Sequence, residues 1–504
     1  MKTIRNRLIA LLYIFLFVFF IIIVRVGYVQ VVKGEIYVER AFELWTRNIP
    51  VSTQRGKIFD RNGKLIVGNK LAPTIAIIPK QVKNKRYTIN ALSTILKIPP
   101  SELEPHFNKN VAVEIIKPAG KNISLETAKQ VIAADLDGVY VASDVVRYYP
   151  YGNTLAHVLG IVGTDNQGIT GLEYIYDYFL MGTPGAQNIY TDAHGNKYPD
   201  LIGSYTPANS GFDLYLTIDI DIQLALERVL NNVDVLYKPV DLIGLVMNPQ
   251  TSEILAMASR PTFDPENYQD YDQEIYNRNL PIWKAYEPGS TFKVVTFAAG
   301  LEEEVFRLDE HFYDPGYAVV DGTRIRDWKP GGHGDQTFLQ VLQNSCNPGF
   351  ISIGLRLGKE RLFKYIRDFG FGEKTGVDLV GEATGIVFDT EKIGNVETAN
   401  AAFGQGNTVT PLQLLNATNA AVNGGRLNTP YILKGFGIPG TNTLIFQNKT
   451  KFVRQVIKPE TSMLVADALE QVVAYGTARG AYIEGYRVGW KTGQAEIPIG
   501  GVYA

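Results

Sequence analysis

The chain has 504 residues, enough for more than one domain. Lys and Arg total 49 against 51 Asp and Glu, a formal charge of −2, so no basic footprint for nucleic acid is present. The composition is that of a folded protein, without a low-complexity tract or a solenoid repeat. The sole cysteine, Cys346, excludes an internal disulfide and a Cys-based zinc framework. It reads as a small apolar filler. The five histidines (His106, His157, His194, His311 and His333) form no close pair in sequence, so neither a metal nor a cofactor is expected.

The first element is an uninterrupted apolar run from Leu8 to Val24, at the short end of the membrane-spanning range. Arg7 and Arg25 flank it, and Lys2, Arg5 and Arg7 precede it, which predicts an uncleaved anchor with residues 1–7 in the cytoplasm. Residues 25–49 read as a juxtamembrane helix or stalk, and residues 50–211 as a first extracytoplasmic region. Within it, Ile58 to Ile66 predicts a hairpin around Asn62-Gly63. Short helices are expected over Ile89 to Leu96 and Leu125 to Ala134. Arg55 and Asp60 are a candidate ion pair across the hairpin, and Glu173 reads as an isolated structural carboxylate.

A second domain is predicted over residues 212–504. Asp219 or Asp221 caps a helix expected to bury Ile222, Leu226, Val229, Leu230 and Val233. Two strands, Asp241 to Met247 and Glu253 to Ala258, flank Asn248 to Ser252 as an antiparallel hairpin. A mostly helical stretch follows, and a third strand carries Lys491. Hairpin, helices and strand in this order predict an α+β arrangement, an antiparallel sheet packed with helices.

Three short motifs carry chemistry. Ser290 and Lys293 lie three residues apart, after Pro288-Gly289 and ahead of the apolar residues Val294, Val295, Phe297 and Ala298. This spacing puts hydroxyl and amine on one helix face, the serine at the N-terminus and the lysine turned inward, where desolvation lowers its pKa. Ser345-Cys346-Asn347 places a second hydroxyl and an amide on one side of a loop following a helix begun near Thr337. Lys491-Thr492-Gly493 follows the alternating segment Tyr486 to Trp490, where Lys and Thr can bind a carboxylate and Gly permits close approach. A second copy, Lys374-Thr375-Gly376, sits in the glycine-punctuated stretch after Phe369 and reads as a turn.

The three motifs in this order resemble those of the serine penicillin-recognising enzymes. Further segments narrow the resemblance to class B penicillin-binding proteins: Arg55 to Gly63, Arg147-Tyr148-Tyr149-Pro150 with Gly152, His157 and Gly160, and Gly168 to Glu173. Asp213 to Asp219, Phe263-Asp264-Pro265 and Phe403-Gly404-Gln405-Gly406 also fit. Asp165-Asn166-Gln167-Gly168 runs into Gly171-Leu172-Glu173 without an insertion, which resembles the division or sporulation branch.

The resemblance implies a transpeptidase fold, a five-stranded sheet between helical layers, over a non-catalytic pedestal (dimerisation) domain. It implies that Ser290 is the nucleophile, Lys293 its base, Ser345 a proton relay and Asn347 a carbonyl ligand. Lys491 and Thr492 would bind a substrate carboxylate, with Gly493 beside it. The backbone N–H groups of Ser290 and Gln494 would form an oxyanion hole. The expected ligands are peptidoglycan stem peptides ending in D-Ala-D-Ala, and β-lactams. A polytopic glycan polymerase and other wall-synthesis proteins are the implied partners. Two departures stand out: Gln494 takes the place of a usual threonine, and the chain stops where two further strands and a helix are expected, so a C-terminal portion is expected to be missing. The alternatives are an inactive scaffold, a β-lactam sensor or a carboxypeptidase.

Overall fold

The structure, a computed structural model, describes residues 2–38, 46–51, 53–111, 113–190, 204–441, 443–495, 498–499 and 502–503. His194 and residues 39–45 of the expected stalk lie outside them. The chain forms two compact units, one of residues 1–54, 71–145 and 182–210, the other of residues 55–70, 146–181 and 211–504. Residues 55–70 and 146–181 precede the predicted boundary near 212, yet pack within the second unit.

In the first unit, the helix Lys2–Gly27 continues through Val32 and buries no residue. It is long and apolar enough to cross a membrane, and it extends beyond the Leu8–Val24 run at both ends. Thr46–Val51, Gly185–Tyr190 and Tyr205–Thr206 form an antiparallel sheet. Both expected helices form, Lys85–Leu96 capped by Asn84 and Leu125–Ala133 capped by Ser124. They close over a core that includes Ile75, Ile77, Leu92, Leu103 and Phe107.

In the second unit, Ile58–Phe59 pairs antiparallel with the strand starting at Leu65, as predicted. Gly63 supplies the positive φ of the turn, +84°. The expected Arg55–Asp60 pair does not form. Asp60 accepts the N–H groups of Asn62 and Lys64 and so holds the turn. Arg55 pairs with Glu173 and Asp177 at 2.6 Å each, and Glu173 also pairs with Arg147 at 2.7 Å. Glu173 is structural but not isolated: it is fully buried between two guanidinium groups. Paired burial avoids the large cost of an uncompensated charge.

Asp219 caps the helix Ile220–Tyr237 as predicted, but the buried face is Ile220, Gln223, Glu227 and Leu230. Val229 is 56% exposed. The polar members are inside because they have partners: Gln223 exchanges hydrogen bonds with the Met257 backbone, and Glu227 meets Arg260. The hairpin Leu242–Met247 with Ile254–Arg260 is antiparallel as expected. Among the described residues it is a two-stranded sheet, where the resemblance implies five. Lys491 is not on a strand. A strand is defined by its ladder, and the backbone of this segment instead reaches a helix, Trp490 N–H donating to Leu469 O at 3.4 Å.

The helix Lys293–Glu302 runs through the main core, buried from Lys293 to Gly300. A helix apolar on every side is a central helix. Around it pack Asn347–Asp368, Asn395–Phe403 and Pro459–Tyr475. The mixed, helix-covered architecture with a separate N-terminal unit is the predicted α+β class. Lys374-Thr375-Gly376 lies in irregular backbone just after a turn, not on a strand: the Glu382 carboxylate accepts the Thr375 and Gly376 N–H groups.

Candidate active site

The approach to Ser290 is set by Gly289, whose φ is +56°. A Cβ there would lie 2.1 Å from Gln494 O. Only glycine lets the two backbones meet. Gly289–Phe292 forms a 3-10 turn leading directly into the Lys293 helix. With three residues per turn, Ser290 and Lys293 fall on the same side. Ser290 is half-buried, and among the described residues its hydroxyl has no hydrogen-bond partner.

Lys293 is fully buried. Its Nζ donates to Ser345 O at 2.7 Å and Asn347 Oδ1 at 2.6 Å, and lies 3.2 Å from Ser345 Oγ. Burial, and then the neighbouring Lys491 charge, hold its pKa well below the ordinary lysine range. Cys346 and Asp327 act in the opposite sense. A neutral amine has two N–H groups. Two strong acceptors use both, which leaves a lone pair to take a proton.

Ser345 follows the helix Phe338–Gln343, whose first turn carries a Thr337/Gln340 capping box. Its φ is +55°, a left-handed conformation that costs a non-glycine residue about 1–3 kcal/mol. That bend lets Ser345 and Asn347 face the same amine. Asn347 opens the next helix, with its N–H on Asp327 Oδ1 at 2.9 Å.

Lys491 Nζ donates to Ser345 Oγ at 2.8 Å, so Ser345 connects the two lysines. Burial lowers the Lys491 pKa to about 8. The arrangement therefore sets the Lys491 charge against protonation of Lys293, whose pKa burial already depresses. Thr492, Gly493 and Gln494 lie along the same cleft, about 820 Å³ in volume. A Cβ on Gly493 would meet Thr291 Cγ2 at 2.7 Å.

All eight sequence-predicted site residues thus converge, although the carrier of Lys491 is irregular rather than a strand. Arg326, Asp327, Trp328 and Thr477 also line the cleft and were missed. Their one sequence signal is the Trp-Lys-Pro-Gly-Gly loop after Asp327, an irregular segment with a large aromatic. Under Ser345–Asn347, Asp314, Asp327, His333 and Cys346 form a group able to hold a metal.

Solved penicillin-binding proteins share this fold. Penicillin Binding Protein 2X from Streptococcus thermophilus matches with a TM-score of 0.70 and 23% identity, over 91% of this chain and 73% of that one. A peptidoglycan synthetase from Bifidobacterium adolescentis matches with a TM-score of 0.70 and 24% identity, over 90% and 86%. The penicillin binding protein transpeptidase domain family matches residues 243–499, and the penicillin-binding protein dimerisation domain family residues 50–216. The chain belongs to the class B penicillin-binding proteins, in their division and sporulation branch. Stage V sporulation protein D of Bacillus subtilis is 51% identical over 502 residues, 99% of this chain and 78% of that protein. Peptidoglycan D,D-transpeptidase FtsI of Escherichia coli is 29% identical, over 94% and 78%.

Proposed function

We propose that the protein is a peptidoglycan D,D-transpeptidase acting through a serine ester, anchored by Lys2–Val32 with its N-terminus in the cytoplasm. The hydrogen-bonded set of Lys293, Ser345, Asn347 and Lys491, of which Ser345 and Asn347 line the cleft with Ser290, carries the reading. Ser290 Oγ attacks the carbonyl of the terminal D-Ala-D-Ala bond of a stem peptide. Lys293 takes the hydroxyl proton. The C–N bond breaks, and Ser345 passes a proton to the leaving D-alanine. An amine from a neighbouring stem then attacks the ester, and Ser290 regains its proton.

Lys491 and Thr492 bind the terminal carboxylate, and Asn347 holds a peptide carbonyl. The N–H groups of Ser290 and Gln494 stabilise the oxyanion, usually the largest single electrostatic contribution in acyl transfer. β-Lactams enter as mimics of the dipeptide and remain as the ester. A polytopic glycan polymerase is the partner that supplies strands to cross-link.

The test is turnover of a stem-peptide thioester by the full chain in detergent, with and without D-alanine as acceptor. Transfer to D-alanine is the expected result. Hydrolysis without transfer would make the protein a carboxypeptidase, and no acylation would make it a scaffold.

A further inference from the structure

The cleft holds a cation that the proposed reaction leaves unused. Arg326 lines it with Ser290 and Asn347, and its side chain is exposed. Among the described residues Arg326 has no carboxylate partner, and neither does Arg324 two residues before it. A guanidinium free at the wall of a binding cleft presents N–H donors in a planar fork, the geometry that grips a carboxylate.

A short hairpin places it. The strands Tyr317–Val320 and Thr323–Arg326 pair antiparallel, with Arg326 opposite Tyr317. The turn residues Asp321 and Gly322 have φ of +47° and +81°, the positive values that a two-residue type I′ turn requires. Arg324 and Arg326 fall on one face of their strand. Arg324 is held over the Tyr317 ring, 3.7 Å from its centroid, which leaves Arg326 to the cleft. Trp328, two residues on, donates its Nε1–H to Asn344 O at 3.0 Å and is 57% exposed, so its ring stands as a fixed apolar wall.

Hydrogen bonds give the cleft a direction. Lys491 Nζ donates to Ser345 Oγ, Lys293 Nζ bridges Ser345 O and Asn347 Oδ1, and Asn347 Nδ2 donates to Arg326 O at 3.5 Å. Lys491 stands at one end of this line and Arg326 at the other. A donor stem peptide with its terminal carboxylate on Lys491 and an acyl-side carbonyl on Asn347 therefore runs its preceding residues toward Arg326.

We propose that Arg326 binds a side-chain carboxylate on the stem-peptide residue immediately before D-Ala-D-Ala, and so selects donors with a free acid there over donors in which it is amidated. The inference deepens the proposed transpeptidase reading and rests on it. A carboxamide keeps the shape of the acid but loses its charge and one acceptor, so the fork of Arg326 is no longer matched. Trp328 offers its face to the methylenes of the same side chain.

The test is release of D-alanine by the full chain in detergent from two synthetic stem peptides, identical except that the side-chain acid before D-Ala-D-Ala is free in one and a carboxamide in the other. The wild type should favour the free acid by about tenfold in kcat/KM, as one charge-assisted hydrogen bond in a partly exposed site supplies. The ratio should fall to near one in Arg326→Gln and be partly kept in Arg326→Lys. A third peptide, with its free acid one residue earlier, should show no gain, and a gain there alone would contradict the placement. If Arg326→Gln fails to fold, the wild-type ratio and Arg326→Lys still decide. Equal wild-type values for the first two peptides overturn the subsite and leave the transpeptidase reading standing. A full preference in folded Arg326→Gln removes Arg326 from the role. Release from none of the peptides overturns both.

Discussion

Lys293 Nζ donates to Asn347 Oδ1 at 2.6 Å, joining the start of one core helix to the start of another. This bond lies in a place where water cannot substitute for it, because Lys293 is fully buried. Together with the Ser345 carbonyl it orients an amine whose pKa desolvation depresses. Lys293→Met keeps the apolar stem and removes the proton acceptor. Acylation should fall by about 10²–10⁴-fold, the range for loss of a general base, while cooperative unfolding persists. Stopped-flow measurement of penicillin acylation checks it, and an unchanged rate would remove Lys293 from the role of base.

The two lysines predict the pH profile. The folded pKa of each is depressed, so each binds its proton less readily than in the unfolded chain. The unfolded state holds more protons below pH 10, so these groups lose stability as pH falls through their folded values. Acylation should rise with pH as Lys293 loses its proton. It should fall again above about 8, where Lys491 loses the charge that attracts the ligand carboxylate. Lys491→Arg keeps a charge throughout and should remove the descending limb. A descending limb unaltered in that variant would assign it to another group.

Gly289 is a backbone position with little tolerance. Ala at 289 meets Gln494 O at 2.1 Å on a left-handed residue. Gly289→Ala should cost about 1–3 kcal/mol and displace the 493–495 segment, with loss of acylation. Gly480→Ala, where a Cβ meets nothing within 4 Å, is the matched control and should leave both unchanged. Denaturant unfolding and acylation assays on the pair read the difference.

The Arg55–Glu173–Arg147 cluster should matter for folding and not for chemistry. Glu173→Ala leaves two buried guanidinium groups without their shared carboxylate. The expected loss is about 3–5 kcal/mol, with the acylation rate of the remaining folded protein preserved. Denaturant unfolding monitored beside penicillin acylation separates the two effects.

Features written in local spacing were legible before the structure. Ser290 and Lys293 are one turn apart, a helix begins at Thr337, and Asn62-Gly63 makes a turn. Each depends on residues within four positions of one another. What stayed hidden depends on distant partners. Alternation around Lys491 reads as a strand, but a strand exists only where a neighbour supplies its ladder. The partners of Arg55 lie more than a hundred residues away, at Glu173 and Asp177. Gln223 and Glu227 break the apolar stripe of their helix because Met257 and Arg260 receive them inside. The carboxylates around His333 and Cys346 come from the end of one strand, at Asp314, and from the residue after another, at Asp327, so no sequence motif marks them.

The most direct measurement is intact-mass spectrometry of the full chain after incubation with a penicillin, beside Ser290→Ala. Addition of one penicillin to the wild type, and none to the variant, is the predicted result. A wild type that melts cooperatively yet gains no mass, or a Ser290→Ala variant labelled to the same extent, would contradict Ser290 as the nucleophile.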